Sequence, residues 1–265
     1  MIANLRQLFR YRALIQSLVA RELKARYRGS FLGYFWSFVN PLLLLLIYSF
    51  VFTVVMPEAR GAGSPDHYAL FLFCGLLPWT WFSSSLLESS TVLIAGGNLI
   101  RKVLFPAEVL PIVTVFAGLV HFCLGLPILA AFFLYFGVPI VAADLLWLPA
   151  VMLVQLVLTL ALALIVSALT VHFRDLRDLL ASLVTLWFWS TPIVYHLSQV
   201  PERFRPLLEL NPLTHLVVSY QDVLITEGSF REGPRLAALG AASIVLFALG
   251  YYVFDRLRDT LAEEV

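Results

Sequence analysis

Residues Val19 to Pro57 read VARELKARYRGSFLGYFWSFVNPLLLLLIYSFVFTVVMP, and the stretch changes character once, after Arg28. Seven Lys/Arg fall in the first 28 residues of the chain, and residues 29–57 carry no charge at all. A helix needs about 20 apolar residues to cross the hydrocarbon core of a bilayer, so this run is long enough to span with some tilt. The basic flank on its amino-terminal side predicts that this end lies in the cytoplasm. The chain reads as an integral membrane protein whose first span orients the rest.

Composition agrees. Of 265 residues, 60% are hydrophobic and 13% are charged, whereas a soluble domain carries about a quarter charged residues. The net charge of +1 says little about partners, because the information lies in where the charges fall. Nothing in that distribution points to nucleic acid. The two cysteines, Cys74 and Cys123, both fall inside predicted spans and read as small core residues rather than a disulfide. The first 28 residues are too rich in arginine for a signal peptide and lack its short apolar core and cleavage site, so they are expected to stay on the mature protein.

Upstream of the first span, residues 5–28 form an amphipathic pattern. At the angular spacing of a helix, Arg6, Arg10, Arg21, Lys24 and Arg28 share one narrow face, while Leu5, Leu8, Phe9, Ile15, Leu18, Val19, Leu23 and Tyr27 spread over the other half. Arg12, Glu22 and Arg26 interrupt the apolar side, which predicts either a break in the helix or a docking place on protein. Residues 1–28 are therefore read as a cytoplasmic interface helix. Charge-free runs over 29–57, 67–87, 109–143, 145–173, 179–201 and 236–254 follow. Each is long enough to cross, which predicts six spans (near 30–56, 68–88, 110–136, 147–171, 179–196 and 236–254) within a transmembrane domain of residues 29–256. Both termini then lie in the cytoplasm. Thirteen of the eighteen Lys/Arg fall on the side assigned to the cytoplasm, in agreement with that orientation.

Three connections carry the remaining polar residues. Residues 89–108 contain a cytoplasmic turn with a short helix-like piece before Pro106. Residues 172–178, His-Phe-Arg-Asp-Leu-Arg-Asp, form a compact charged cytoplasmic link. The long outer segment 198–235 is interrupted by Pro201, Pro206, Pro212 and Pro234, with Phe204 to Leu208 and Leu213 to Leu224 apolar enough to re-enter the membrane as half-helices. Irregular backbone at that depth is tolerable only against protein or a watery cavity, so the segment reads either as an outer gate or as a packed outer loop. The fold class is thus all-α: six transmembrane helices, an amphipathic amino-terminal interface helix and re-entrant outer half-helices before the last span.

Catalytic signatures are absent. The only lysines are Lys24 and Lys102, and neither follows glycine, so there is no Gly-Lys-Ser/Thr phosphate loop. Any ATP-driven transport requires another polypeptide, and no cofactor or metal is expected in this chain. Glu88 alone interrupts a long apolar stretch, and its place near the inner boundary predicts a snorkelling or arginine-paired carboxylate rather than a proton relay. His121 and Gln155 fall near the midplane and read chiefly as interhelical hydrogen-bonding groups. Trp36, Trp147, Tyr195 and Tyr251 fit interfacial belts, but Trp79, Trp81, Trp187 and Trp189 fall too deep for one. Ser182, Thr185 and Trp189 share a helical face, with His196 beyond. Such an aromatic and polar stripe suits sugars, whose apolar ring faces stack on aromatics; core packing accounts for each tryptophan as well.

Taken in order, Arg21-Glu-Leu-Lys-Ala-Arg-Tyr-Arg-Gly-Ser-Phe-Leu-Gly-Tyr-Phe-Trp36, Asn40-Pro41, Tyr48-Ser-Phe-Val-Phe52, Gly75-Leu-Leu-Pro-Trp79, Asn98-Leu-Ile-Arg-Lys102, Phe105-Pro-Ala-Glu108 with Pro111, His172-Phe-Arg-Asp175, Ser190-Thr-Pro-Ile193 and Asn211-Pro-Leu213 resemble the ABC-2 type polysaccharide export permeases. The likeness is greater to O-antigen and teichoic-acid permeases than to capsule-type ones. The resemblance implies a homodimer in the cytoplasmic (inner) membrane, served by two copies of a separate ATPase subunit that holds ATP and Mg²⁺. It implies a polysaccharide linked to undecaprenyl pyrophosphate as cargo. Trp36, Tyr48, Trp79, Trp81, Trp187, Trp189 and Tyr195 are the expected channel contacts. Arg21, Lys24, Arg26 and Arg28 are expected either to receive the pyrophosphate head group or to bind anionic lipid. Arg101, Lys102, Arg174, Asp175 and Arg177 are the expected coupling residues. Competing readings are an ABC-2 exporter of a small drug or lipid, an ion-coupled secondary transporter, and a non-transporting scaffold.

The topology is checked by reporter fusions. A reporter active only in the cytoplasm, fused after Val265, is expected to work, and one active only after export is expected to stay silent.

Overall fold

With no water in the bilayer core, backbone polar groups must be satisfied within the protein, and helices do this segment by segment. The computed structural model describes residues 11–26, 35–55, 68–97, 106–139, 141–225 and 230–264, and among them there is no strand. Helix α1 is Arg12–Arg26. Helix α2, Trp36–Phe50, continues into a π-helical turn, Val51–Val55. Then come α3 (Tyr68–Ala95), α4 (Val109–Phe136), the short α5 (Ala142–Leu145), α6 (Leu148–His172) and α7 (Leu176–Trp189). A 3₁₀ turn (Leu197–Gln199), α8 (Arg205–Glu209), α9 (Pro212–Ile225) and α10 (Gly233–Glu264) follow. Residues 1–10, Arg28, Arg101, Lys102 and the helix-like piece expected before Pro106 lie outside the described residues.

Among the described residues, four stretches are long and apolar enough to cross a membrane: α3, α4, Ala143–His172 around α6, and Gly233–Leu257 in α10. Helices α2 and α7 fall where the first and fifth spans were expected, and both are shorter, at 15 and 14 residues. With its π turn, α2 reaches roughly 30 Å; α7 alone covers roughly 21 Å. The expected fifth span, 179–196, is helical only as far as Trp189. Thr191 precedes Pro192, and the residue before a proline is pushed out of the helical region. At the other extreme, α3 runs seven residues past the expected boundary, to Ala95, where the hydroxyls of Ser90 and Thr91 bond back to the carbonyls of Leu87 and Glu88.

Helix α3 is the centre of the bundle. It packs against α2, α4, α6, α7 and α9, and most of it is buried. Pro78 lies in its middle and withdraws one N–H from the ladder. Side chains meet the carbonyls around it: Gln155 Nε2 on α6 donates to Pro78 O (2.8 Å), and Thr80 Oγ1 donates to Leu76 O and Leu77 O (2.8 Å each). Gln155 is thus an interhelical hydrogen-bonding group, as its depth predicted. Helix α1 docks on the start of α4, with Leu14, Ile15, Leu18 and Val19 around Val109 and Val113. Its apolar face meets protein, and Arg12, Arg21 and Lys24 stay exposed. Cys74 and Cys123 are both free thiols; Cys74 is buried as expected, whereas Cys123 is exposed on α4 rather than in the core.

The closest helix pairing is α6 with α10. A Cβ on Gly250 would stand 2.7 Å from Ala161 O, so only hydrogen fits between the two backbones. Small residues at such crossings let van der Waals contact replace the hydrophobic drive that lipid cannot supply. Gly250→Val is expected to destabilise the protein by about 1–3 kcal/mol, as overpacking does elsewhere. Thermal unfolding of the detergent-purified chain against wild type measures it.

Candidate functional site

Two depressions adjoin where α2 leans on α3. The inner one, about 290 Å³, lies between α1, α2, α3 and α4 and is lined by Arg26, Trp36, Asn40, Thr80, Trp81, Ser83, Ser84 and His121 among others. The outer one, about 270 Å³, lies between α2, α3 and α7, with Tyr48, Trp79, Thr80, Ser83, Thr185 and Trp189 in its walls. Leu44, Thr80 and Ser83 belong to both. The pair therefore follows α3 from Leu76 to Leu87, roughly 16 Å along the helix axis.

The walls have a definite hydrogen-bonding sense. Thr80 donates to its own helix, as do Ser83 and Ser84, whose hydroxyls reach Thr80 O at 3.4 and 2.6 Å. Their protons are thereby engaged and their oxygens keep lone pairs, so α3 offers acceptors. A ligand rich in O–H donors matches such a wall, and the indole and phenol faces beside it suit apolar ring faces. At the inner end Arg26 supplies positive charge and forms an ion pair with Glu88. The arginine-paired reading of Glu88 is the one the structure contains.

The expected channel residues divide between these walls and their supports. Tyr48 is half-buried against Phe188, with ring centroids 5.9 Å apart. Trp79 is buried between Phe82 and Phe188 and borders the outer depression, where Trp189 is 53% exposed. Ser182 and Thr185 are exposed on the same helix. Trp36 borders the inner depression. Trp81 is 2% exposed and its Nε1 donates to Val115 O (3.1 Å), so it forms a fixed wall between α3 and α4. Trp187 faces away from both depressions: it packs edge-on against Phe82 and donates from Nε1 to Asn211 Oδ1 (2.7 Å). Tyr195 donates its hydroxyl to Trp189 O (3.0 Å). Of the other expected residues, Arg21 and Lys24 are exposed on α1, and Arg174, Asp175 and Arg177 are exposed at the link from α6 to α7.

Beyond Trp189 the chain is non-helical and buried over Thr191–Val194, yet the carbonyls of Ser190, Thr191, Pro192 and Val194 have partners. Ser190 Oγ and Thr191 Oγ1 donate back to Leu186 O and Trp187 O. Asn211 Nδ2 donates to Ser190 O (3.2 Å), Gln221 Nε2 to Pro192 O (3.2 Å) and Tyr68 OH to Val194 O (2.8 Å). Asn211 is the hub: it also donates to Thr191 Oγ1 and accepts from Trp187 Nε1 and Leu213 N. Sequence reasoning noted Ser190-Thr-Pro-Ile193 and Asn211-Pro-Leu213 only as parts of a resemblance, and missed that the second motif caps the first. It also missed the acceptor wall, although Thr80, Ser83 and Ser84 at helical spacing signalled one.

Comparison with known proteins adds the following. The profile of the ABC-2 type transporter family matches residues 13–225. The chain is 42% identical to the O-antigen export system permease protein RfbA of Myxococcus xanthus, over the full length of both. It is 32% identical to the protein of the same name from Klebsiella pneumoniae, covering 94% of each chain. It is 24% identical to the polysialic acid transport protein KpsM of Escherichia coli, over 93% of this chain and 94% of that one.

Removing the Asn211 hub leaves buried polar atoms without partners, each costing about 1–3 kcal/mol. Asn211→Ala is therefore expected to lower thermal stability and to open the chain between Ser190 and Pro212 to limited proteolysis. Asn211→Asp keeps the Trp187 acceptor and loses both donors, and is expected to do the same to a smaller degree.

Proposed function

This chain belongs to the ABC-2 type transporter family, and from that premise we propose that it is the membrane subunit of an exporter for polysaccharide linked to undecaprenyl pyrophosphate, such as O-antigen. The observation that carries this reading is the pair of adjoining depressions, aromatic on some walls and acceptor-rich on others, with an arginine at one end. Each indole or phenol offers a sugar ring a face to stack on, and each α3 hydroxyl offers its O–H groups an oxygen. The names of its relatives, which concern O-antigen export and polysialic acid transport, support the same class of cargo.

In this proposal the chain crosses the inner membrane six times with both termini in the cytoplasm, α2 and α7 counting as the first and fifth spans. Residues 1–28 form the interface helix, residues 29–256 the transmembrane domain and residues 198–235 the outer gate, with α8 and α9 as half-helices re-entering the outer leaflet. Two copies meet across the faces of α2 and α7. Leu43, Leu46, Ile47 and Phe50 on α2 are exposed, as are Leu179, Leu183 and Leu186 on α7. Ser182 and Thr185, exposed among them, are poor partners for lipid and good ones for a hydrated path between copies. Tyr48, Trp79 and Trp189 contact the passing sugar, with Trp36 below them, while Trp81, Trp187 and Tyr195 hold the walls. Arg21, Lys24, Arg26 and Arg28 meet the pyrophosphate head group and the anionic membrane surface.

Energy comes from two copies of a partner ATPase, which bind ATP and Mg²⁺; the chain itself needs no cofactor. Arg174, Asp175 and Arg177, together with Arg101 and Lys102, receive the partner's movement. A short charged link between two helices passes a rigid-body shift to both.

The decisive experiment isolates this chain with an ATPase subunit and reconstitutes the complex in vesicles. Lipid-linked polysaccharide is expected to cross only with ATP. Losing stacking worth about 0.5–1.5 kcal/mol per aromatic, Trp79→Ala and Trp189→Ala are each expected to slow export roughly 2- to 12-fold. Full-rate export without the ATPase, or with both tryptophans replaced, overturns the proposal.

A further inference from the structure

We propose that Glu88 occupies the place of a substrate phosphate, holding the Arg26 guanidinium at the mouth of the inner depression until an anionic lipid head group displaces it. The inference deepens the function proposed above, since it rests on a phosphorylated lipid being the carrier.

Four observations lead to it. The Arg26–Glu88 pair joins α1 to α3 across 62 residues of chain, and Arg26 is itself part of the cavity wall. The pair is not the sole anchor of α1, because Leu14, Ile15, Leu18 and Val19 pack that helix on Val109 and Val113. Neither partner is sealed in: the side chains are 29% and 39% exposed, so an incoming anion can reach the guanidinium. Finally, Glu22, on the same helix one turn before Arg26, sets a second negative charge against Glu88.

An exchange follows from these contacts. An ion pair with this much exposure holds weakly, and Glu88 serves it with the single negative charge of a carboxylate. A diphosphate that joins a lipid to a sugar carries two negative charges and four free acceptor oxygens, which the planar guanidinium fork binds in bidentate fashion. When the phosphate takes Arg26, Glu88 is left facing Glu22 and turns toward water. The first sugar would then rest between Trp36 and the acceptor oxygens of Ser83 and Ser84. In the resting protein Glu88 keeps Arg26 oriented and occupied against loosely bound anions. Glu88 is thus a positioning residue, and Arg26 is the phosphate ligand.

The full-length chain in nanodiscs of neutral lipid tests the exchange with radiolabelled farnesyl diphosphate, farnesol and inorganic pyrophosphate as probes. Wild type is expected to prefer farnesyl diphosphate to farnesol and to bind pyrophosphate weakly. Glu88→Gln removes the competing charge and keeps an acceptor for Arg26, so farnesyl diphosphate is expected to bind about 1.5–5-fold more tightly, with farnesol unchanged. Arg26→Gln is expected to abolish the preference, and the double variant to behave as Arg26→Gln. Arg26→Lys, which keeps the charge and loses the fork, is expected to retain part of it. If Glu88→Gln does not remain monodisperse, Glu88→Asp gives the same reading with a smaller gain.

Weaker or unchanged farnesyl diphosphate binding in the folded Glu88 variants overturns the exchange and leaves the pair a structural tie. So does a preference that survives Arg26→Gln, or pyrophosphate binding as tightly as the lipid. The two proposals separate cleanly. A chain that binds the diphosphate through Arg26 but exports no polysaccharide refutes the function above alone, while export indifferent to both substitutions refutes the exchange alone.

Discussion

An unsatisfied backbone carbonyl in an apolar medium costs several kcal/mol, and the arrangement of this protein follows from how that cost is avoided where its helices stop. Helix α7 ends at Trp189, and the chain continues as buried non-helical backbone. That stretch is stable because Asn211, Gln221 and Tyr68 reach it from α9 and α3 and occupy the carbonyls of Ser190, Pro192 and Val194 in turn. Three elements far apart in sequence are thereby locked together. Trp187 is held by the same asparagine, and the last turn of α7 keeps its place beside the outer depression.

The same rule shapes the inside of the bundle. Pro78 weakens the ladder of α3 at its middle, and Gln155 and Thr80 supply donors around it. Hydroxyls that bond back to their own helix leave oxygens along one side of α3, so this largely buried helix presents a row of acceptors to the two depressions. The aromatic residues around it divide by the state of their polar atoms. Trp81, Trp187 and Tyr195 have theirs engaged with backbone or Asn211 and act as framework. Trp79 and Trp189 border the outer depression, Trp79 buried between Phe82 and Phe188 and Trp189 exposed.

Helix α1 shows how charge and apolarity are separated. Its aliphatic residues are used on α4, its exposed basic residues face the surroundings, and Arg26 alone turns to the cavity, where Glu88 meets it. Arg26 looked out of place on the apolar side of the helical wheel because that side docks on protein near a carboxylate rather than in lipid. An apparent fault in an amphipathic pattern here marks a contact.

Much of this was legible in the sequence. Charge-free runs found the apolar helices, the flanking arginines predicted an orientation, and the ordered motifs pointed to the family. The depth of Gln155 predicted an interhelical hydrogen bond, and the place of Glu88 predicted a snorkelling or arginine-paired carboxylate, of which the structure contains the second. Periodicity and charge act locally, along one helix at a time, so they can be read from neighbouring residues. What the tertiary structure alone decided was which polar groups meet: Asn211 with Ser190 and Trp187, Gln221 with Pro192, Arg26 rather than any other basic residue with Glu88. It also decided that Trp187 and Trp189, two positions apart on α7, part ways, one to the outer segment and one to the rim. Those outcomes depend on how helices distant in the chain are rotated against one another, and no local pattern encodes that rotation.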